Sequence, residues 1–390
     1  MSLFVVVLCA ALAASWLYHL AAVLAARDWC RATASRSKAE TRHRVSVLKP
    51  LHGDEPGLAE NLRSFLRQDY PEYETVFGAL DPADPALEVA DRVAAGDGAV
   101  RVRRVSGDAS AGGLNRKACT LALMMPYATG DVLVLADSDM RVAPNYLREV
   151  TAPLANPSVG VVTCLYRALD APGLAAALEA LGIGADFAPS ALVARAREGM
   201  RFAFGSTIAV RREVLEQIGG FERLRNDLAD DYLVGYLAHR AGWRVELAGA
   251  VVDTVLGRET LGAMWARRVR WARTVRAMRP AGYAGSGLTQ ATALACLLVA
   301  ASSAAPWSVA ALAGTVALRM AAVGLITGRY TRDRAALRLL WLLPISDLVS
   351  AAVWVAGFCG RTILWRGQRL RVLAGGRLAP VARQPERGSG

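Results

Sequence analysis

Leu3 to Ala26 is a run of 24 residues with no Asp, Glu, Lys or Arg, and His19 is its one group that ionises near neutral pH. At about 1.5 Å per helical residue, such a run covers a hydrocarbon core roughly 30 Å thick. A chain that starts this way is expected to be held in a membrane. A cleaved signal peptide would open on a basic stretch, which Met1-Ser2-Leu3 is not, so a retained anchor over residues 1–27 is the expectation. The charges follow the run instead, at Arg27, Arg31, Arg36, Lys38, Arg42 and Arg44. The positive-inside rule puts that side in the cytoplasm.

A second membrane region is expected over residues 287–360. Pro306 divides Gly287 to Thr327 into the two arms of a tight hairpin, with Arg319 close enough to the second end to snorkel. Arg329, Arg332 and Arg334 place the segment after the hairpin in the cytoplasm. The run Leu337 to Gly360 contains Arg338, Pro344 and Asp347. A simple span there would put the basic stretch behind it outside, whereas a re-entrant or kinked segment at Pro344 would not. Asp347 at membrane depth points to a polar contact. Residues 361–390 read as a basic cytoplasmic tail, disordered after Pro380.

The 390 residues are 54% apolar and carry a net charge of +12, almost all from Arg, since Lys occurs only at Lys38, Lys49 and Lys117. An Arg-for-Lys bias says little about a partner; the placement of the Arg residues says more. The six Cys form no CxxC pair and no cluster with His, which argues against a disulfide framework or a zinc site. Between the membrane regions, residues 44–257 alternate strand-like and helix-like stretches, the pattern of a parallel α/β sheet. Val45 to Leu48, Thr75 to Leu80, Val100 to Arg103 and Val132 to Ala136 read as strands. Two of them run into Asp81 and Asp137, and open α/β sheets bind ligands at the carboxyl ends of their strands.

Four constellations can carry chemistry. Asp137-Ser138-Asp139 follows a buried strand, and two carboxylates so placed hold a hard divalent cation whose shell diphosphate oxygens complete; equally, they cap the next helix. Asp81 adds a carboxylate suited to a nucleoside, or simply starts an Asp-Pro turn. Gly113-Leu114-Asn115-Arg116-Lys117 delivers a Lys ahead of a helical run, which suits a phosphate, although it is not a Walker A loop and a cationic surface turn explains it as well. Asp230-Asp231 opens a helix. Mutual repulsion raises the pKa of one of the pair toward that of a base, while acids are also favoured at any helix N-terminus. Finally, residues 258–280 form a basic amphipathic helix for the membrane interface. Within it Arg267, Arg270 and Trp271 are candidates to reach a diphosphate and an acceptor, and Arg273 is assigned to lipid headgroups. An Arg stripe directly before a membrane hairpin does not read as a nucleic-acid site.

Taken in order, these stretches resemble the family 2-type inverting glycosyltransferases, above all the ceramide glucosyltransferase group with its hopanoid-associated bacterial relatives. The matching stretches are Val45-Ser46-Val47-Leu48-Lys49-Pro50-Leu51, Gln68-Asp69-Tyr70-Pro71, Asp81 with Asp84-Pro85, Asp137-Ser138, Asp231-Tyr232 and Arg267-x-x-Arg270-Trp271. Trp365-Arg366-Gly367 with Arg369-Leu370-Arg371 is similar to the group's C-terminal segment. Asp230 stands where the family commonly has Glu. The resemblance implies a GT-A-like nucleotide-diphospho-sugar transferase domain joined to transmembrane helices in a multi-pass inner-membrane protein with a cytoplasmic catalytic domain. It implies a UDP-sugar donor, a divalent cation (Mg²⁺ or Mn²⁺), and transfer of glucose or N-acetylglucosamine to a ceramide or hopanoid hydroxyl. By the same resemblance Asp81 contacts the nucleotide, Asp137 and Asp139 the metal-diphosphate, and Asp231 is the base. A processive polysaccharide synthase shares the Asp and Arg-Trp motifs but needs more spans to line a channel. A non-enzymatic membrane scaffold is the alternative from another class.

Overall fold

The computed structural model describes residues 2–34, 43–96, 100–108, 112–365 and 367–381. Arg36, Lys38, Arg42, Arg366 and the tail 382–390 lie outside the described residues. Eight strands, β1 (Val45–Pro50), β2 (Tyr73–Ala79), β3 (Arg101–Ser106), β4 (Val132–Leu135), β5 (Met140–Arg141), β6 (Val159–Ala168), β7 (Ile208–Arg211) and β8 (Arg244–Thr254), form one sheet. Its order is β3-β2-β1-β4-β7-β6-β8-β5. The first four are parallel; β7 is antiparallel to both β4 and β6, β8 runs parallel to β6, and β5 pairs antiparallel at the edge. The expected parallel sheet is therefore a mixed one. β1 and β4 are buried along their whole length, which is why they read as continuous rather than alternating apolar runs. From β1 the chain winds out to β2 and β3, then crosses back to β4 on the other side of β1. That reversal is the switch point at which an open α/β sheet takes its ligand.

Among the described residues, four helices are long and apolar enough to cross a membrane: Leu3–Ala34, Leu174–Glu198, Pro306–Tyr330 and Leu340–Phe358. The first extends past the expected anchor. Its later turns place Ala22, Ala25, Ala26 and Trp29 in the same core as the sheet, and the Trp29 indole donates to the Ala248 carbonyl of β8 at 3.0 Å. Leu174–Glu198, read from sequence as part of the soluble domain, is largely enclosed by the rest of the chain. The hairpin exists, but its first arm, Ala291–Ala301, has 11 residues. At about 1.5 Å each that is too short to span, and it meets Pro280–Thr289 at 64°. Pro344 does not kink the last run. It sits in the first turn of the helix Leu343–Phe358, where its missing N–H has no partner to lose.

Arg319 does not snorkel. It is 3% exposed because an acid stands at its own depth: Nη2 donates to Asp347 Oδ1 at 2.5 Å and Nε to Asp347 Oδ2 at 3.1 Å. Its remaining N–H groups reach the Ala185 carbonyl at 3.2 Å and Asp186 Oδ1 at 3.3 Å. A further neighbour is His19, whose Nδ1 lies 3.5 Å from Nη1. Three membrane-region helices are thus tied to Leu174–Glu198 through one guanidinium.

Residues 361–390 are more than a tail. β9 (Thr362–Trp365), β10 (Gln368–Val372) and β11 (Leu378–Pro380) form an antiparallel sheet, because Ile363, Leu370, Val372 and Leu378 bury together against Leu228. The helix Leu261–Met278 shows Leu261, Trp265, Trp271 and Val275 outward and buries Met264, Arg268 and Val269. Arg273, assigned above to headgroups, instead donates to the backbone carbonyls of Thr362 and Cys359 and holds the start of the small sheet.

Removing one partner of a buried ion pair leaves the other charge uncompensated and costs about 3–5 kcal/mol. Asp347→Leu should therefore lower the unfolding midpoint in detergent sharply, and adding Arg319→Met should recover much of the loss. A double variant less stable than Asp347→Leu alone would show that the pair is not what joins these helices.

Candidate active site

Asp137-Ser138-Asp139 leaves β4 at the switch point. The Asp137 carbonyl accepts a hydrogen bond from Lys49 Nζ. Lys49 lies wholly buried at the end of β1, its ammonium 4.0 Å above the Phe65 ring centroid. Burial pushes its pKa down to about 7, against the pull of Asp139 and Asp137. Asp139 Oδ2 accepts from the Thr254 hydroxyl at 3.0 Å. Burial, then the charges of Asp137 and Glu55, push its pKa up to about 7. The Asp137 carboxylate is the more open, and its Oδ1 is 2.5 Å from Lys117 Nζ.

Lys117 arrives on a helix, Arg116–Met124, that Asn115 caps by accepting from Ala118 N at 3.0 Å. The same Asn115 donates to Asp230 Oδ1 at 3.0 Å and to the Asp227 carbonyl at 2.7 Å. One residue therefore sets both the lysine and the acidic pair. Burial opposes the Lys117 charge, yet Asp137, Asp230 and Asp231 around it hold its pKa above the ordinary value. Asp231 opens the helix Asp230–Arg240. Its Oδ2 accepts from Gly205 N and its Oδ1 from Tyr232 N, both at 2.8 Å. Burial and the neighbouring Asp230 raise its pKa to about 6, so it is ionised at neutral pH while more basic than an ordinary carboxylate.

These groups meet at Gly205. A Cβ there would stand 3.0 Å from Asp137 Oδ2, 3.2 Å from Asp231 Oδ2 and 3.2 Å from Lys117 Nζ. The structure thus brings Asp137, Asp231 and Lys117 together, with Asp139 next along the loop. Asp81 stays apart: it is exposed beyond β2, and its carboxylate accepts from Ala83 N at 2.9 Å. Arg267 is engaged elsewhere. Its Nη1 and Nη2 grip Glu259 at 2.6 and 2.5 Å, with Glu179 at 3.5 Å and the Trp271 ring 5.7 Å away. The Arg270 guanidinium lies 5.8 Å from the Trp365 ring of β9, while Trp271 is exposed at 39%.

Two carboxylates at a strand end fit Mg²⁺ or Mn²⁺, which protein sites commonly hold through one or two carboxylates plus substrate phosphates. Among the described residues, no group of three or more His, Cys, Asp or Glu forms a metal cage. Sequence reasoning missed Gly205, which no motif marks, and gave no role to Asn115 within the loop that delivers Lys117. It also passed over Lys49 as more than part of a matching stretch, although a lone Lys ending an apolar strand was a visible signal.

A cluster of carboxylates and a lysine thus stands at the switch point of a sheet joined to apolar helices. The chain belongs to glycosyl transferase family 21, whose profile matches residues 4–378. It is 23% identical over 237 residues to ceramide glucosyltransferases 1 and 3 of Caenorhabditis elegans. Each match covers 60% of this chain; it covers 50% of the first relative and 51% of the second, so the chain spans about half the length of the curated relatives it matches. A solved mannosyltransferase from Pyrobaculum calidifontis, in complex with GDP-Man and Mn²⁺, is similar with 20% identity and a TM-score of 0.49, covering 88% of this chain and 99% of that one. S. aureus TarS with UDP-GlcNAc is similar with 13% identity and a TM-score of 0.39, covering 86% of this chain and 98% of that one. Family membership over nearly the whole chain thus falls on a mixed α/β sheet joined to apolar helices.

Gly205→Ala should cut activity at least tenfold, since the added methyl displaces the three converging groups by tenths of an ångström. Because it removes no core contact, the unfolding midpoint should hardly move. Full activity would show that Gly205 does not border the reaction centre.

Proposed function

We propose that this protein transfers a hexosyl group, glucose or N-acetylglucosamine, from a UDP-sugar to a lipid hydroxyl, with inversion, at the cytoplasmic face of the inner membrane. The observation that carries this reading is the convergence of Asp137, Asp231 and Lys117 on Gly205, in a domain whose core includes the end of an apolar helix. Family membership supports the sugar transfer, and the ceramide glucosyltransferase relatives support a lipid acceptor, ceramide or hopanoid.

In this mechanism Asp231 takes the proton of the acceptor hydroxyl as its oxygen attacks the anomeric carbon. The bond from that carbon to the diphosphate breaks in the same displacement, and UDP leaves with the electron pair. One in-line displacement turns an α-linked donor into a β-glycoside. Lys117, held at full charge among carboxylates, and Arg270, stacked at the rim, supply positive charge to the leaving diphosphate. Asp137 and Asp139 would hold a divalent cation, which when bound neutralises diphosphate charge. Asp81 is assigned to the nucleoside. Arg267 and Trp271, joined by their contact, shape the helix that presents Arg270.

Asp231→Asn should lower transfer by about 10²–10⁴-fold, the usual share of a general base, while UDP-sugar binding by calorimetry persists. Near-normal turnover would remove Asp231 from the role.

Excess chelator should halt glycolipid formation by the purified protein, and Mg²⁺ or Mn²⁺ should restore it. Undiminished turnover in chelator would refute the assignment of Asp137 and Asp139 to a cation.

A further inference from the structure

The small C-terminal sheet has one face packed and one face open. Alternation along β9 and β10 turns Ile363, Leu370 and Val372 inward, where they bury with Leu378 against Leu228. The same alternation turns Leu364, Arg369 and Arg371 outward, and all three are exposed, Leu364 at 63%. The register holds them together: Arg369 stands opposite Leu364, and Arg371 opposite Thr362. The outer face is therefore an apolar side chain beside two guanidinium groups.

These cations are not matched from within. Residues 361–381 contain five Arg and no Asp or Glu. Among the described residues, no carboxylate forms an ion pair with Arg361, Arg369 or Arg371. The arginines of the neighbouring helix Leu261–Met278 are occupied by contrast. Arg267 pairs with Glu259 and Arg268 with Asp186, while Arg273 and Arg276 donate to backbone carbonyls. Two arginines held on a strand, clear of every acid, keep their field for a partner.

Position decides which partner. The segment Leu340–Phe358, long and apolar enough to cross a membrane, ends three residues before β9 begins. Along it Trp341, Ile345, Leu348, Val355 and Phe358 are exposed, and Leu364 follows the last of them by six positions. Arg276 holds the Phe358 and Gly360 carbonyls, and Arg273 those of Cys359 and Thr362, so the sheet is fastened to the helix end. Even fully extended, so short a link reaches only about 14 Å, which is comparable to the screening length of roughly 8–10 Å in physiological salt. A second copy of this chain would bring the same arginines against these and be repelled. An anionic lipid surface supplies both things the face lacks: phosphate oxygens for the planar forks of Arg, and an acyl boundary for Leu364.

We propose that the outer face of β9 and β10 docks on an anionic lipid surface, with Arg369 and Arg371 on headgroup phosphates and Leu364 at the acyl boundary. Docking keeps closed the sheet whose backbone pairs with residues 226–228. It uses no group of the reaction centre and is independent of which sugar and acceptor the protein takes.

Hydrogen exchange reads this directly, because a partner that binds only the closed sheet slows its opening by mass action. The purified full chain is placed in nanodiscs of phosphatidylcholine alone, or with about one third phosphatidylglycerol. Amides of residues 362–372 should exchange at least about fivefold more slowly on the anionic discs, the worth of one basic residue at such a surface. The slowing should vanish in about 1 M salt, where the screening length is ~3 Å. It should also vanish in Arg369→Gln/Arg371→Gln, whose exchange on neutral discs should match the wild type within about twofold, since both side chains are exposed. Arg92→Gln/Arg240→Gln removes the same charge from exposed helix positions elsewhere and should keep the slowing. Equal exchange of the wild type on the two discs would overturn the proposal and leave the face to an acidic macromolecule. Slowing that survives the loss of Arg369 and Arg371, or that the distant pair removes as fully, would overturn it too.

Discussion

Crowding of negative charge at the end of β4 is the constraint from which most of this site follows. Asp137, Asp139, Asp230 and Asp231 stand within one small volume at the switch point, and like charges there oppose one another strongly because water is largely excluded. The chain answers with two lysines placed differently. Lys117 sits among the carboxylates as a full charge, touching Asp137. Lys49 lies beneath them in a dry pocket where its charge is barely tolerated, and it grips a carbonyl rather than a carboxylate. Burial first, and the neighbouring carboxylates second, still raise the pKa of Asp139 and of Asp231.

A second constraint comes from the membrane side, where no water is available to satisfy polar groups. Arg319, Asp347, Asp186 and Ser350 satisfy one another, with Ser350 donating to Asp186 at 2.6 Å and accepting from Arg268 at 2.9 Å. Arg268 belongs to the helix Leu261–Met278, so the network reaches the element that bears Arg270. Pro189, four positions after Ala185, has no N–H to give the Ala185 carbonyl, which accepts from Arg319 instead.

The parallel half of the sheet, β1 to β4, was legible in the sequence because buried parallel strands announce themselves as apolar runs, and Asp81 and Asp137 marked two of their ends. The other half was not: β5 and β7 are short, and β6 and β8, though ten and eleven residues long, were passed over in the sequence. The carboxylates and Lys117 were found because each follows a recognisable strand or turn. Gly205 was illegible for a physical reason: its importance lies in the absence of a side chain at a point set by three distant segments. Arg319 was misread because an Arg near a helix end reads as a snorkelling residue until its partner is located. Asp347, 28 positions on, is that partner, and its own reading as a polar contact held the missing half.

The arginine stripe of Leu261–Met278 shows how one motif divides its labour by helical angle. Arg267 turns to Glu259, in the segment after β8, and to Glu179 of the enclosed helix. Arg268 turns inward to the membrane-region network. Arg270 turns to Trp365, while Arg273 and Arg276 hold the backbone that leads into the small C-terminal sheet. That sheet pairs in turn with residues 226–228, just ahead of Asp230 and Asp231: Leu228 N donates to the Gly376 carbonyl at 2.9 Å and Leu378 N to the Asn226 carbonyl at 2.7 Å. The helix Leu261–Met278 and the helix N-terminus that carries Asp231 are therefore two ends of one hydrogen-bonded frame. A displacement of Leu261–Met278 would be felt at Asp231 through the backbone of this sheet, without any side chain having to cross the cleft.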